Sequence, residues 1–116
     1  MIRILVIDDH QLVIDGIRSL LSEEQDISCD GWANSGNEGL RKLREVQYDV
    51  VLLDINMPEI DGLKTCELIR KQYPGIKVIA LTMLGERSMI KAMVEAGANG
   101  YLLKNVGPVS YTHLTL

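Results

Sequence analysis

The chain has 116 residues, of which 47% are apolar and 24% charged, as expected for one globular domain with a single core. The net charge is only -4, and the lysines and arginines form no basic block, so no stretch is marked as a nucleic-acid or membrane surface. The apolar runs are too short for a membrane span or a signal peptide. Cys29 and Cys66 lack the spacing of a metal or redox motif. As small core residues they suit the cytoplasm, which is where we expect the protein to be.

Apolar runs alternate with amphipathic stretches along the chain. The first run, "IRILVI", predicts a strand buried on both faces, and the apolar residues after it recur at helical spacing. Ser35, with Glu38 three residues later, forms a capping-box pattern that opens a second helix, and Pro74-Gly75 ends a third. The predicted strands are Ile2–Ile7, Ile27–Ala33, Asp49–Leu53, Lys77–Leu81 and Gly100–Leu103. Alternating strands and helices with short connections predict a doubly wound α/β fold, in which a parallel sheet carries helices on both faces.

Polar side chains follow most of these strands. Asp8 and Asp9 follow the first strand, and Asp54 follows the third. Thr82 follows the fourth strand and Lys104 the fifth. The carboxyl ends of the strands in an open parallel sheet form its functional crevice, so we expect these side chains at one rim. Taken singly, Asp9 and Thr82 could each be a helix N-cap, and Lys104 could be a solvated surface lysine. Together, however, three crowded carboxylates repel one another and require a cation among them.

The residues at this rim favour phosphoryl chemistry. Lys104 supplies one positive charge, and the remaining negative charge favours a hard divalent ion, for which Mg²⁺ fits best. Asp54 ends the strand best placed to be central, and a carboxylate can attack a phosphoryl group to give an aspartyl phosphate. A metal held by Asp9 and Asp54, with the Thr82 hydroxyl and the Lys104 ammonium, would neutralise the phosphoryl oxygens. We therefore expect Asp54 to be a nucleophile.

The segments "VIDD", "LLDINMPEIDG", "ALT" and "GYLLK" resemble the signature of receiver domains of two-component response regulators, from Ile2 to about Pro108. The resemblance implies a flavodoxin-like fold, with a five-stranded parallel sheet in the order 2-1-3-4-5. It implies that Asp54 is the phosphoacceptor and that a sensor histidine kinase is the donor. The resemblance thus implies a protein that acts in a phosphorelay signal transduction system.

The same resemblance implies a role for each residue at the rim. Asp9 would bind Mg²⁺ directly together with Asp54 and the backbone carbonyl of Asn56, and Asp8 would bind it mainly through water. Thr82 and Lys104 would contact the bound phosphoryl group. The domain would then be a signalling switch and not an enzyme, since it would catalyse only its own phosphoryl transfer and dephosphorylation.

Tyr101 lies where the family places its switch aromatic, although a half-buried strand tyrosine is an equally good interpretation. In the switch interpretation, Thr82 moves toward the phosphoryl group and the ring of Tyr101 turns into the space left behind. This would remodel the face formed by the fourth helix and the fifth strand, since phosphorylation favours one of two conformers. The phosphorylated form could then pair with a second copy of the chain.

Asn105 after Lys104, together with "DDHQLVIDGI" and "LTMLGERS", resembles the NarL/FixJ-type regulators. Those proteins usually carry a C-terminal helix-turn-helix domain, so the resemblance implies transcription regulation through a DNA-binding domain that is absent from this chain. The alternative is a stand-alone receiver that acts through protein contacts.

The C-terminal segment Val109–Leu116 reads "VSYTHLTL", where the family has a fifth amphipathic helix. It is rich in β-branched residues and shows no helical stripe, and codons for it match a transposase-based sequencing adapter. We therefore expect a receiver domain over residues 1–108, with its fifth helix missing or replaced, and a non-native tail at 109–116 produced by translated adapter read-through.

Two other function classes fit the sequence less well. A phosphatase of the haloacid-dehalogenase type needs a second acid two residues after the nucleophile, where this chain has Asn56. A flavodoxin-like nucleotide or flavin binder needs a Gly- or Ser/Thr-rich loop after the first strand, where this chain has Asp8-Asp9-His10. For His10 itself, a helix N-terminal residue near the rim is a better interpretation than a catalytic base.

Overall fold

The computed structural model describes residues 1–57, 62–83, 87–104 and 114–115, which form one sheet between two layers of helices. The strands are β1 Ile2–Ile7, β2 Ile27–Ala33, β3 Val50–Asp54, β4 Lys77–Thr82, β5 Gly100–Leu103 and β6 Leu114–Thr115. The helices are α1 Gln11–Leu21, α2 Gly36–Glu45, α3 Gly62–Gln72 and α4 Arg87–Glu95. The five strands predicted from the sequence are confirmed to within one residue at either end.

The sheet has the order β2-β1-β3-β4-β5-β6, and β1 to β5 are parallel to their neighbours. The predicted order 2-1-3-4-5 and the doubly wound α/β class are therefore confirmed. The sequence did not predict β6, which pairs antiparallel with β5 through Leu102↔Leu114 and Tyr101↔Thr115. An edge strand leaves a row of backbone N–H and C=O groups open, and a short extended segment can satisfy them.

The predicted domain boundary at 108 lies outside the described residues, as do Asn105 and all of 109–116 except Leu114–Thr115. The non-native origin of that tail stays a prediction. Among the described helices, none has both the length and the apolar character needed to cross a bilayer.

Both faces of the central strands are buried, because successive residues of a strand point to opposite faces and helices cover each side. On one face, Leu5 and Leu53 belong to a cluster that packs against α2, α3 and α4. On the other face, Val6 packs with Ile14 and Ile17 of α1. The central strands are continuous apolar runs because alternate residues of each strand pack under the helices on opposite faces of the sheet.

The starts of α2 and α3 are fixed by local contacts. The Oγ of Ser35 accepts a hydrogen bond of 3.1 Å from the backbone N–H of Glu38, which confirms the predicted N-cap of α2. Gly62, the first residue of α3, lies against the end of β3, where an added Cβ would be 2.5 Å from the carbonyl oxygen of Asp54. Only glycine therefore allows α3 to begin so close to the strand end that carries Asp54.

Candidate functional site

The register of the sheet brings the polar strand ends to one rim. Ile7 of β1 pairs with Leu53 of β3, so the next residue of each strand, Asp8 and Asp54, lies at the same level. Across the sheet, β4 pairs with β5 up to Thr82. The convergence predicted from parallel strand order therefore has a direct cause in the backbone pairing.

Lys104 connects the two buried acids at this rim. Its Nζ lies 2.9 Å from Oδ2 of Asp8 and 3.0 Å from Oδ1 of Asp54. The side chain of Lys104 is only 7% exposed, and both carboxylates are almost completely buried. Buried charges need such pairing, because desolvation penalises each ion separately. The structure thus places the predicted lysine in direct contact with the predicted nucleophile.

The two oxygens of Asp54 have different surroundings. Oδ1 accepts hydrogen bonding from the backbone N–H of Asn56 at 3.1 Å, in addition to its ion pair with Lys104. Oδ2 is buried and has no hydrogen-bond partner among the residues that the structure describes. Burial, followed by the nearby charge of Asp8, raises the pKa of Asp54 to about 6. The hydrogen bond from Asn56 and the charge of Lys104 act in the opposite direction.

His10 also belongs to this site, although the sequence interpretation placed it only near the rim. It is the N-cap of α1, but its side chain makes no capping hydrogen bond. Instead, Nδ1 lies 2.9 Å from Oδ1 of Asp8, 3.1 Å from Oδ1 of Asp9 and 3.8 Å from Oδ2 of Asp54. The signal available in the sequence was its position directly after two acids at a strand end.

The acidic side chains fit a hard divalent ion. One ligand atom from each of Asp8, Asp9, His10 and Asp54 can be chosen so that all lie within 4.8 Å of one another. Oxygen-rich donor sets of this kind suit Mg²⁺. Oδ2 of Asp54, which is buried and accepts no hydrogen bond from the described residues, lies 3.8 Å from Nδ1 of His10 within this group. The residues present therefore fit the predicted cation, while the metal-binding role of the Asn56 carbonyl stays a prediction.

Thr82 and Tyr101 lie on one face of the sheet. Thr82 is 1% exposed, and its Oγ1 donates a hydrogen bond of 3.3 Å to the carbonyl of Met83. Ala80, two residues before Thr82, shares its face and pairs with Tyr101 of β5. Tyr101 is half-buried and packs against the cluster under α2, α3 and α4. The predicted hydroxyl and the predicted switch aromatic are thus on the same side of neighbouring strands.

The sequence is similar to known response regulators, in agreement with the fold and with the arrangement of the acidic site. A sequence profile described as the response regulator receiver domain matches residues 4–114. The response regulator GacA of Pseudomonas viridiflava is 43% identical over 107 residues, which is 92% of this chain and 50% of that protein. The transcriptional regulatory protein LnrK of Bacillus subtilis is 37% identical over 106 residues, or 91% of this chain and 48% of LnrK. The chain therefore spans about half the length of the curated relatives it matches.

Solved structures agree on the fold. The response regulator domain of Thermotoga maritima CheB superposes with a TM-score of 0.84 and is 29% identical, with 95% of this chain and 83% of that chain covered. A LuxR-family two-component response regulator from Aurantimonas has a TM-score of 0.82 at 29% identity, covering 91% of this chain and 76% of its own. On its profile match, its relatives and its fold, this chain belongs to the response regulator receiver domain family.

Proposed function

We propose that the domain accepts a phosphoryl group on Asp54 from a sensor histidine kinase, in the presence of Mg²⁺, and that this phosphorylation controls an output. The observation that carries the proposal is the asymmetric Asp54 carboxylate. One oxygen is held by Lys104 and by the N–H of Asn56, whereas the other is buried, accepts no hydrogen bond from the described residues and lies 3.8 Å from Nδ1 of His10. Such an oxygen is fixed in place for attack on phosphorus.

Each neighbouring side chain has a task in this proposal. Mg²⁺, held by Asp9, Asp54 and the Asn56 carbonyl and through water by Asp8, would neutralise charge on the phosphoryl oxygens. Lys104 balances the buried negative charge before transfer, and its ammonium can contact the phosphoryl group afterwards. The Thr82 hydroxyl donates over 3.3 Å to Met83, a long hydrogen bond that can be exchanged for one to phosphate.

The switch follows from the placement of Thr82 and Tyr101. A phosphoryl group on Asp54 favours the conformer in which the Thr82 hydroxyl reaches it, and Tyr101 on the neighbouring strand and the same face responds to that movement. The surface formed by α4 and β5 would then change its shape. Phosphorylation by the kinase would in this way control which partners bind this surface, including a second copy of the chain. The domain acts only on its own aspartyl phosphate and is a switch, not an enzyme with an external product.

The output is proposed to lie in another domain. GacA and LnrK extend to about twice the length of this chain, and the name of LnrK describes a transcriptional regulatory protein. We expect the remaining half of the intact regulator to hold a DNA-binding helix-turn-helix domain, and the protein to act in the cytoplasm. A stand-alone receiver that acts through protein contacts is the second candidate, and a stop codon soon after the receiver in the genomic sequence would favour it.

The phosphoacceptor is tested by intact mass after incubation with acetyl phosphate and Mg²⁺. We expect the addition of one phosphoryl group to the unmodified chain, and no addition to Asp54→Asn. Asp15→Asn is the matched control, since Asp15 is an exposed acid on α1. An addition that persists in Asp54→Asn would move the acceptor to another residue and contradict the proposal.

A further inference from the structure

We propose that a cavity at the amino ends of β3 and β4 is a binding site for a small organic cation, such as an alkyl- or arylammonium ion. The cavity lies at the opposite edge of the sheet from the acidic site. Asp49, which lines the cavity, directly precedes β3, and Asp54 is the last residue of that strand. The inference is independent of the phosphoryl chemistry proposed above.

The cavity has the size and the apolar walls of a small-molecule site. Its volume is about 540 Å³, and ligand sites of this kind measure about 300–1,000 Å³. Side chains from the end of α2 and the start of β4 supply apolar walls, namely Leu43, Val46 and Ile76. The hydrocarbon part of a ligand would be removed from water there, which is favourable.

Two tyrosines, Tyr48 and Tyr73, give the cavity aromatic walls. Tyr48 is 7% exposed, and its hydroxyl lies so close to Gly31 of β2 that a Cβ added there would overlap it. The ring of Tyr48 is therefore held in a fixed position. The guanidinium of Arg3 already lies 5.8 Å from the centre of this ring, which is a cation–π distance. The electron-rich faces of such rings attract organic cations.

The charges around the cavity also favour a cation. Of the eight described residues that line it, none is a lysine or an arginine, and Asp49 is the one that carries a charge. Oδ2 of Asp49 accepts a hydrogen bond of 2.8 Å from the backbone N–H of Arg3. The guanidinium of Arg3 pairs instead with Asp30, at 2.6 Å. The exposed carboxylate of Asp49 can therefore pair with a positive charge that enters the cavity.

Two helix C-termini flank the same cavity. Val46, which directly follows α2, and Tyr73, which directly follows α3, both line it. The C-terminus of a helix carries a partial negative charge on its unpaired carbonyl groups, and this charge stabilises a nearby cation. Arg70 demonstrates this preference within the chain. Its guanidinium donates hydrogen bonds of 3.1 and 2.6 Å to the carbonyls of Pro74 and Ile76, just after the end of α3.

Three ligands that share one hydrocarbon body and differ in charge test this inference. At neutral pH, phenethylammonium is positive, phenethyl alcohol is neutral and hydrocinnamate is negative. In NMR titrations of the unmodified chain, we expect phenethylammonium to bind at least about fivefold more tightly than the alcohol, and hydrocinnamate to bind more weakly still. The cation should shift the aromatic signals of Tyr73, which are assigned by comparison with Tyr73→Phe.

The contribution of the acid is tested with Asp49→Asn, which removes the charge and keeps an oxygen that can accept the N–H of Arg3. We expect this variant to bind phenethylammonium about threefold more weakly than the unmodified chain, with unchanged affinity for phenethyl alcohol. Asp15→Asn, which removes an exposed acid on α1, is the matched control and should bind both ligands as the unmodified chain does.

Several results would overturn the inference: equal affinities for the cation and the alcohol, no binding of the cation at millimolar concentration, or undiminished binding of the cation by Asp49→Asn. Binding that leaves the Tyr73 signals unchanged would also overturn it, because the ligand would then lie elsewhere. If circular dichroism shows that Asp49→Asn is unfolded, the three ligands and the Tyr73 signals of the unmodified chain decide the question. Asp54→Asn should bind the cation normally, so failure here leaves the proposed function untouched.

Discussion

Lys104 holds the two buried acids of the site together, with its Nζ 2.9 Å from Asp8 and 3.0 Å from Asp54. Removing one partner of a buried ion pair leaves the other charge uncompensated, which destabilises a protein by about 3–5 kcal/mol. We expect Lys104→Ala to lower the free energy of unfolding by this order, measured by urea denaturation at neutral pH. Lys71→Ala, which removes an exposed lysine, should change it by less than about 0.5 kcal/mol. Equal effects of the two variants would contradict the pairing.

Asp54 makes the stability of the domain depend on pH. Its pKa is about 6 in the folded protein against an ordinary value of 3.8, so the folded state holds the proton more tightly than the unfolded state. Stability therefore falls as pH rises from about 4 to about 6. Above this range the ionised buried carboxylate destabilises the fold by the order of 1–3 kcal/mol.

The variant Asp54→Asn keeps the shape of the side chain and cannot titrate. At neutral pH its free energy of unfolding should exceed that of the unmodified chain by about 1–3 kcal/mol. This difference should shrink to near zero below about pH 4. Urea unfolding across this pH range, in EDTA to exclude divalent ions, measures the difference. A stability difference that does not vary with pH would show that Asp54 is not responsible.

At the scale of single residues, the sequence predicted that the acids and the lysine lie close together, because the carboxyl ends of the strands in a parallel sheet meet at one rim. It did not predict the contacts of His10, since the side chain of an N-cap residue can turn either toward the helix or away from it. That direction depends on the three-dimensional positions of Asp8 and Asp9, which spacing alone does not specify.

The junction between β3 and α3 depends on a glycine. A Cβ at Gly62 would lie 2.5 Å from the backbone oxygen of Asp54 and 2.6 Å from Cα of Ile55, and a strand backbone cannot easily move away. We expect Gly62→Ala to destabilise the domain by about 1–3 kcal/mol. Gly16→Ala is the matched control, because Gly16 lies within α1 and a Cβ there meets no atom within 4 Å. Thermal melts compare the two variants.

Gly16→Ala should stabilise the domain by about 0.5–1 kcal/mol through its helix propensity. If both glycine variants shift the melting temperature in the same direction, the close approach of α3 to β3 is not the cause.

At the scale of elements, the sequence predicted β1, β3 and β4 because each contains an apolar run that is buried on both faces. It predicted β2 from an alternating pattern and β5 from a short apolar run, and both of these strands are only partly buried. It did not predict β6, for which Leu114–Thr115 shows no comparable run. That pairing comes from the open edge of β5, a feature of the assembled sheet and not of the local sequence.

The molecule as a whole is proposed to respond to phosphorylation through β4 and β5. Phosphorylation of Asp54 should change the aromatic NMR signals of Tyr101, which are assigned by comparison with Tyr101→Phe. In Thr82→Ala the phosphoryl group should still be accepted, but the change at Tyr101 should fall by at least about half, because the hydroxyl that links the phosphate to β4 is missing. Thr82→Ser retains a hydroxyl and should behave like the unmodified chain.

The coupling between Thr82 and Tyr101 would be refuted by an undiminished Tyr101 response in Thr82→Ala.

The central claim, that Asp54 carries the phosphoryl group, is tested most directly by chemical marking of the acyl phosphate. Borohydride reduces an aspartyl phosphate to homoserine, and tandem mass spectrometry of the digested protein then locates it. After treatment with acetyl phosphate and Mg²⁺, we expect homoserine at position 54. Homoserine at Asp8, Asp9 or any other acid, with position 54 still aspartate, would contradict the account.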